Sequence, residues 1–145
     1  LQEKNKMTVK TEIISEIEKR LNENKGFEIV YEDNRPTIRD VKGITKSKIS
    51  KKEIKGIRRK KTKLKKDIKE LILNISRKLV DHGVEFKVLL WPKVVEIRFD
   101  LDHFISVYEG EVKIAGFISS EEKPLSYIFD ILKNYGKIVF LKPLK

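Results

Sequence analysis

After Gly83 the apolar residues of this chain change their spacing from four to two. Upstream, Leu64, Ile68, Leu71, Ile72, Ile75 and Leu79 recur at three- and four-residue intervals, which sets them on one face of an α-helix. Downstream, Val84, Phe86 and Val88 alternate with Glu85 and Lys87. Val95, Ile97 and Phe99 then alternate with Glu96, Arg98 and Asp100, the pattern of strands with one buried face. A chain that makes this switch is expected to lay helices over a sheet.

The remaining segments fit that scheme. Val9, Ile13, Ile17 and Leu21 predict a helix over residues 8–24, ended near Gly26. Phe27, Ile29 and Tyr31 alternate with Glu28, Val30 and Glu32 as a strand. Asp33-Asn34-Arg35-Pro36 is a turn signal, and residues 37–45 are expected to form a second short strand. The amphipathic helix over 64–80 should end at Gly83. Trp91-Pro92 predicts a hairpin turn, and residues 104–108 and 112–118 a second hairpin across Glu109-Gly110. Residues 121–135 read as a helix with Ser120 as N-cap, Pro124 in its first turn and Gly136 at its end. Residues 138–141 read as a last strand. The expected fold is α+β: a single domain over 1–145, a largely antiparallel β-meander packed with helices, and a long basic helix or helix pair.

Composition narrows the function. Apolar residues make up 39% of the chain, enough for a core. No apolar run approaches the ~18 residues that would span a bilayer. The polar start lacks the apolar stretch of a signal peptide, so an intracellular protein is expected. The chain has no Cys, which removes disulfides, thiolate zinc sites and Cys nucleophiles together. Abundant Lys, Glu and Ile with no Cys is a hyperthermophile pattern, although AT-rich genomes favour Lys and Ile as well.

Charge is distributed very unevenly. Residues 46–66, KSKISKKEIKGIRRKKTKLKK, hold twelve Lys or Arg and one acid, Glu53, so their net +11 equals that of the whole chain. Ser50-Lys51-Lys52-Glu53 fits a capping box, so a helix is expected to start at Ser50. Gly56 and the polar stretch 58–63 would divide it from the helix that follows. A solvated helix face is the plain alternative, but one acid among so many bases leaves little i,i+4 pairing. The candidate nucleic-acid-binding residues are Lys51, Lys52, Lys55, Arg58, Arg59, Lys60, Lys61, Lys63, Lys65 and Lys66. Lys outnumbers Arg ten to two there, which favours phosphate contact over base reading and predicts largely sequence-independent, salt-sensitive binding. Membrane-surface binding fits less well, because the stripe has no Trp or Phe anchors. No zinc-finger spacing and no RNP1-like run is present.

Chemistry, if there is any, must come from the charge-balanced remainder. Glu85-Phe86-Lys87 is a Glu-x-Lys pair on a strand, so both side chains point the same way, as in the second half of a PD-(D/E)xK nuclease site. The preceding Pro-Asp of such sites is missing, with Arg39-Asp40 and Asp81 as loose substitutes. Glu96, Arg98 and Asp100 share the polar side of the next strand, with Asp102 and His103 at its end, a carboxylate-rich strand end beside a His. A structural reading competes. If the hairpin turns tightly at Trp91-Pro92, Lys87 faces Glu96, Glu85 faces Arg98, Val88 faces Val95 and Phe86 faces Ile97. All four charged residues would then be cross-strand partners. His82 is expected to meet a helix C-terminus, His103 to be a satisfied polar residue and Trp91 to anchor the hairpin.

The basic run together with HGVEFKVLLWPKVVEIRFDLDHF, in a Cys-free chain of this size, resembles the small nuclease of filamentous viruses (lipothrixviruses) of hyperthermophilic archaea. The resemblance implies an α+β fold of unusual topology. It also implies endonuclease activity on double-stranded DNA, in viral genome handling or host DNA degradation, within the host cytoplasm. It favours Glu85 as the key carboxylate. The expected catalytic set is Glu85, Lys87, Asp100 and Asp102, with Glu85 and Asp100 holding Mg²⁺ or another divalent metal. Double-stranded DNA is the expected partner, and a homodimer is one of the open oligomeric states. A non-enzymatic nucleic-acid-binding protein is the alternative, and a basic arm docked on an acidic protein a third.

Overall fold

The computed structural model describes residues 2–41 and 64–141, with side chains from Thr11 onward. Helix α1 runs Gln2–Asn22, followed by strands β1 (Phe27–Glu32) and β2 (Arg35–Arg39). Helix α2 covers Lys66–Asp81. Strands β3 (Phe86–Leu90), β4 (Val95–Arg98), β5 (Phe104–Tyr108) and β6 (Glu111–Ala115) come next. Helix α3 (Leu125–Tyr135) and strand β7 (Lys137–Phe140) complete the order. The capping box at Ser50 and most of the basic run lie outside the described residues.

The fold class agrees with the expectation: α+β, with three helices and one mostly antiparallel sheet among the described residues. All seven strands join in the order β2-β1-β3-β4-β5-β6-β7. Only β6 and β7 pair in parallel, and the connection between them carries α3, as a parallel pair requires. No described helix is long and apolar enough to cross a membrane.

Alternation sorts the strands into two faces. Phe27, Ile29, Phe86, Val88, Val95, Ile97, Ile105, Val107, Val112 and Ile114 all lie on one face and all belong to the buried core. Helix α2 packs onto this face between α1 and α3, contributing the buried Leu71, Ile72, Ile75, Leu79 and Val80. Each such side chain stabilises the fold by roughly 1.5–3 kcal/mol relative to exposure. The opposite face carries Glu28, Lys87, Glu96, Arg98, Phe104, Ser106 and Lys113, none of which joins the core cluster.

Helix ends follow local chemistry. Gly83 takes φ +70°, and Gly83 N–H and Val84 N–H donate to the Val80 and Leu79 carbonyls. This is a Schellman ending that needs a residue at ease in the left-handed region. His82 caps α2 as expected and stacks on Tyr127 of α3, ring centroids 3.8 Å apart.

Several boundaries differ from expectation. Helix α1 begins at Gln2 rather than Thr8. Strand β2 starts at Arg35, because the turn is only Asp33-Asn34, both at positive φ, and Pro36 sits on the edge strand, where its missing N–H costs no ladder bond. Helix α3 begins at Leu125, with Pro124 at its N-cap. Residues 118–122 form a turn instead, in which Glu122 accepts from the Ile118 and Ser119 amides and Ser119 Oγ from the Glu121 amide. The β3–β4 connection is wider than the predicted Trp91-Pro92 turn: Trp91 N–H donates to the Val94 carbonyl at 2.9 Å, and Trp91 stands at this turn 43% exposed.

Gly116 ties the loop after β6 to the loop after β4. Its φ is +88°, and a Cβ there would overlap the Asp102 carbonyl. Gly116→Ala should therefore destabilise the fold by about 2–3 kcal/mol, read as a fall in the midpoint of denaturant unfolding. An unchanged midpoint would contradict the close approach.

Candidate functional site

The β3–β4 register departs from the one expected of that hairpin. Lys87 faces Arg98, Val88 faces Ile97, Leu89 faces Glu96 and Leu90 faces Val95. Lys87 does not face Glu96, and Glu85 is not Arg98's partner. The four-residue connection shifts the pairing by two residues, which keeps every side chain on its expected face but changes every partner.

Two like charges directly opposite are unfavourable unless neutralised nearby. Neutralisation comes from elsewhere in the sheet. The β1–β3 register sets Glu28 beside Lys87, and the β1–β2 register sets Glu28 beside Arg39. Glu28 is only 4% exposed. Its Oε1 accepts from Arg39 Nε at 2.6 Å, and its Oε2 lies 3.8 Å from Lys87 Nζ. Arg98 is held within its own strand: Nε donates to Glu96 Oε2 at 2.8 Å, Nη1 donates to the Leu101 carbonyl at 3.0 Å, and its Cζ lies 4.3 Å from the centre of the Phe104 ring. Glu28 had not been singled out from the sequence. Its place between Glu-flanking apolar residues of β1 was visible, but its partners lie 11 and 59 residues away.

Glu85 precedes β3 and is exposed, and its Oε2 accepts the Tyr31 amide at 2.8 Å. It lies two residues from Lys87 on the same side of the strand, so Glu28 and Glu85 flank Lys87 across β1 and along β3. Burial, helped by the Asp81 and then the Glu85 charge, pushes the Tyr31 phenol up to about 12. The Tyr31 hydroxyl donates to the Val80 carbonyl at 3.0 Å, which ties this strand end to α2.

Asp100 organises the loop at the end of β4. Its Oδ1 accepts from the Asp102 and His103 amides, both at 2.8 Å, and meets His103 Nδ1 at 2.8 Å. The His103 side chain and then these two amides hold the Asp100 carboxyl below its usual range. His103 is thus a satisfied polar group, as expected. Asp102 contributes its amide to the turn. Asp100 lies beyond the end of β4, in the turn that follows Arg98, toward the same end of the sheet as Glu85.

Among the described residues no group of three His, Asp or Glu side chains is placed to hold a metal ion. Mg²⁺ commonly needs only one or two carboxylates, taking the rest of its shell from water and substrate phosphate. Of the two expected metal ligands, Glu85 accepts the Tyr31 amide and Asp100 Oδ1 is engaged by donors of its own loop.

Of the basic candidates, Lys51, Lys52, Lys55, Arg58, Arg59, Lys60, Lys61 and Lys63 lie outside the described residues. Lys65 precedes α2 and pairs with Glu109 in the β5–β6 turn, which raises its pKa. Lys66 is the exposed first residue of α2. The described chain stops at Val41, which lies against Gly26, and resumes at Leu64, whose amide donates to Asn24 Oδ1 at 3.3 Å. Both roots of the basic run therefore meet at the α1–β1 junction. That is the end of the sheet opposite Glu85, four residues along β3, or about 13 Å at ~3.3 Å per strand residue.

No protein-family model, no curated protein and no solved structure matches this chain.

Two outcomes follow from this geometry. Glu28→Gln leaves Arg39 and Lys87 without their buried counter-charge and should cost about 1–3 kcal/mol in denaturant unfolding. Glu85→Gln, an exposed group, should cost less than about 1 kcal/mol. Equal costs would contradict the buried role of Glu28. Asp100 has a lowered folded-state pKa, so its contribution to stability is present above the ordinary carboxylate value of about 4 and is lost as pH falls through the folded value. In His103→Ala the Asp100 carboxyl, followed by ¹³C NMR, should titrate at higher pH than in wild type. An unchanged midpoint would remove His103 as the main cause.

Proposed function

We propose that this chain is an endonuclease that hydrolyses phosphodiester bonds of double-stranded DNA, bound largely without sequence preference through the Lys-rich run. The observation that carries this proposal is the Lys87 cluster: one exposed carboxylate, Glu85, and one buried carboxylate, Glu28, flank a Lys that is 44% exposed on the helix-free face. Phosphodiester hydrolysis requires a carboxylate to orient or deprotonate water and a cation where charge grows on the phosphoryl oxygens.

In this scheme Glu85 takes the proton from water as the water oxygen forms the new P–O bond. Lys87 donates hydrogen bonds to the non-bridging oxygens. The bond to one ester oxygen breaks, and that oxygen takes a proton from solvent. Glu28 keeps Lys87 charged and aimed. Asp100 and Asp102 build the loop that follows β4. Glu85 and Asp100 would be the residues to hold a divalent metal such as Mg²⁺, which would supply neutralisation of phosphoryl charge. The resemblance to the small nuclease of filamentous archaeal viruses supports this assignment and extends it to work on viral or host DNA in the host cytoplasm.

A non-enzymatic nucleic-acid-binding protein is the second reading. It is favoured by the protein hydrogen bonds that already engage Glu28, Glu85, Glu96 and Asp100. Linear duplex DNA incubated with wild type and Glu85→Gln, with Mg²⁺ or EDTA, separates the two. The nuclease predicts cleavage by wild type that falls at least about 100-fold in the variant while DNA binding persists. If highly purified wild type cuts nothing with any divalent metal at elevated temperature, the enzyme is ruled out and the binding protein stands.

A further inference from the structure

We infer that the helix-free face of the sheet is a phosphate-binding surface in its own right, in addition to the Lys-rich run. This rests on the DNA-binding part of the function proposed above and names the residues of the folded sheet that touch the nucleic-acid backbone.

The registers align one row of side chains across five strands: Arg39, Glu28, Lys87, Arg98 and Phe104. Strands lie ~4.8 Å apart, so the three cations of this row fall within about 15 Å. Its one carboxylate, Glu28, is buried among them, whereas the Arg39 and Lys87 side chains are 45% and 44% exposed. The next row holds Leu89, Glu96, Ser106 and Lys113. Lys113 Nζ sits 5.1 Å from the centre of the Tyr108 ring, much as Arg98 lies on Phe104. Four cations thus face two acids, and both acids are withdrawn toward the sheet: the Glu28 and Glu96 side chains are 5% and 17% exposed. What these two rows offer outward is positive charge, with the exposed Glu85 one step beyond Lys87 and Glu111 one step beyond Lys113 on the same face.

The chemistry of the row selects the occupant. Lys87 and Arg98 stand directly opposite each other, a pairing that an anion between their heads would stabilise. The ion pairs of Arg39 and Arg98 with Glu28 and Glu96 use their Nε atoms. With their forks anchored in this way they suit phosphate contact better than reading of base edges. A repeating anion laid across the strands meets successive cations, and its phosphate at Lys87 lies one same-face step along β3 from Glu85.

The test uses the full chain and a short DNA duplex. The logarithm of affinity is measured against that of salt concentration for wild type and for a combined Arg39→Gln, Arg98→Gln, Lys113→Gln variant. A control variant carries Arg77→Gln, Lys78→Gln and Lys133→Gln on α2 and α3. Each lost phosphate contact should reduce the slope by about 0.9, so the open-face variant should lose roughly 2–3 in slope and the control nothing. An unmoved slope, or equal losses in both, would overturn this surface while leaving DNA binding by the Lys-rich run intact. Absence of DNA binding by wild type would overturn both proposals together. Amine acylation of the wild type guards against a misfolded variant: DNA should slow labelling of Lys87 and Lys113 several-fold and leave Lys78 and Lys133 unchanged. Equal labelling with and without DNA would also overturn the surface.

Discussion

A one-residue slip in any ladder of this sheet would exchange its two faces, and the structure depends on that not happening. Period-two alternation puts Phe27, Val88, Ile97, Ile105 and Ile114 under the helices in one row. It puts Glu28, Lys87, Arg98 and Phe104 on the other side in another. Burial of the first row holds the register, and the register in turn sets a carboxylate between Arg39 and Lys87. The charged arrangement on the open face is therefore a consequence of core packing rather than of the weak attraction between surface ions.

The two charged systems of the chain are separated along the sheet. The basic run is rooted beside Asn24 and Gly26, and Lys65 is tied to Glu109 at that same end. Glu85 and the Asp100 loop stand at the other end. Duplex DNA is stiff over such a short distance. A duplex held at the roots of the run could lie straight across the open face to Glu85. Attraction and chemistry would then come from different segments, joined by cations that the sheet itself supplies.

Much of this was legible in the sequence because it is local. The 64–80 stripe, the Gly83 ending and the alternation of β1, β3 and β4 are set by neighbouring residues and form as expected, except that β3 starts at Phe86 and β4 stops at Arg98, which leaves Phe99 and Asp100 in the turn that Asp100 closes. Partner choice was not legible. Charge complementarity within the β3–β4 hairpin favoured Lys87 facing Glu96, yet Lys87 is satisfied by Glu28 from a strand 59 residues away. Pairing of β1 with β3 is non-local, and no spacing within either strand announces it. The start of α3 was misplaced for a different reason. Glu122 and Ser119 have the chemistry of a helix cap but use it to close a turn, and the helix waits until after Pro124. Asp100, Asp102 and His103 read as a carboxylate-rich strand end beside a His, whereas the Asp100–His103 contact and the amides that make Asp100 the organiser of its loop depend on backbone geometry.

On the proposed reading, the face of the sheet away from the helices meets a polyanion beside Glu85. Backbone NMR of the full chain during titration with a short DNA duplex tests it most directly. The account predicts shifts concentrated at Arg39, Lys87, Arg98, Lys113 and Glu85, along with the basic run, and little change along α2 and α3. Shifts confined to the basic run, or centred on the helices, would contradict it.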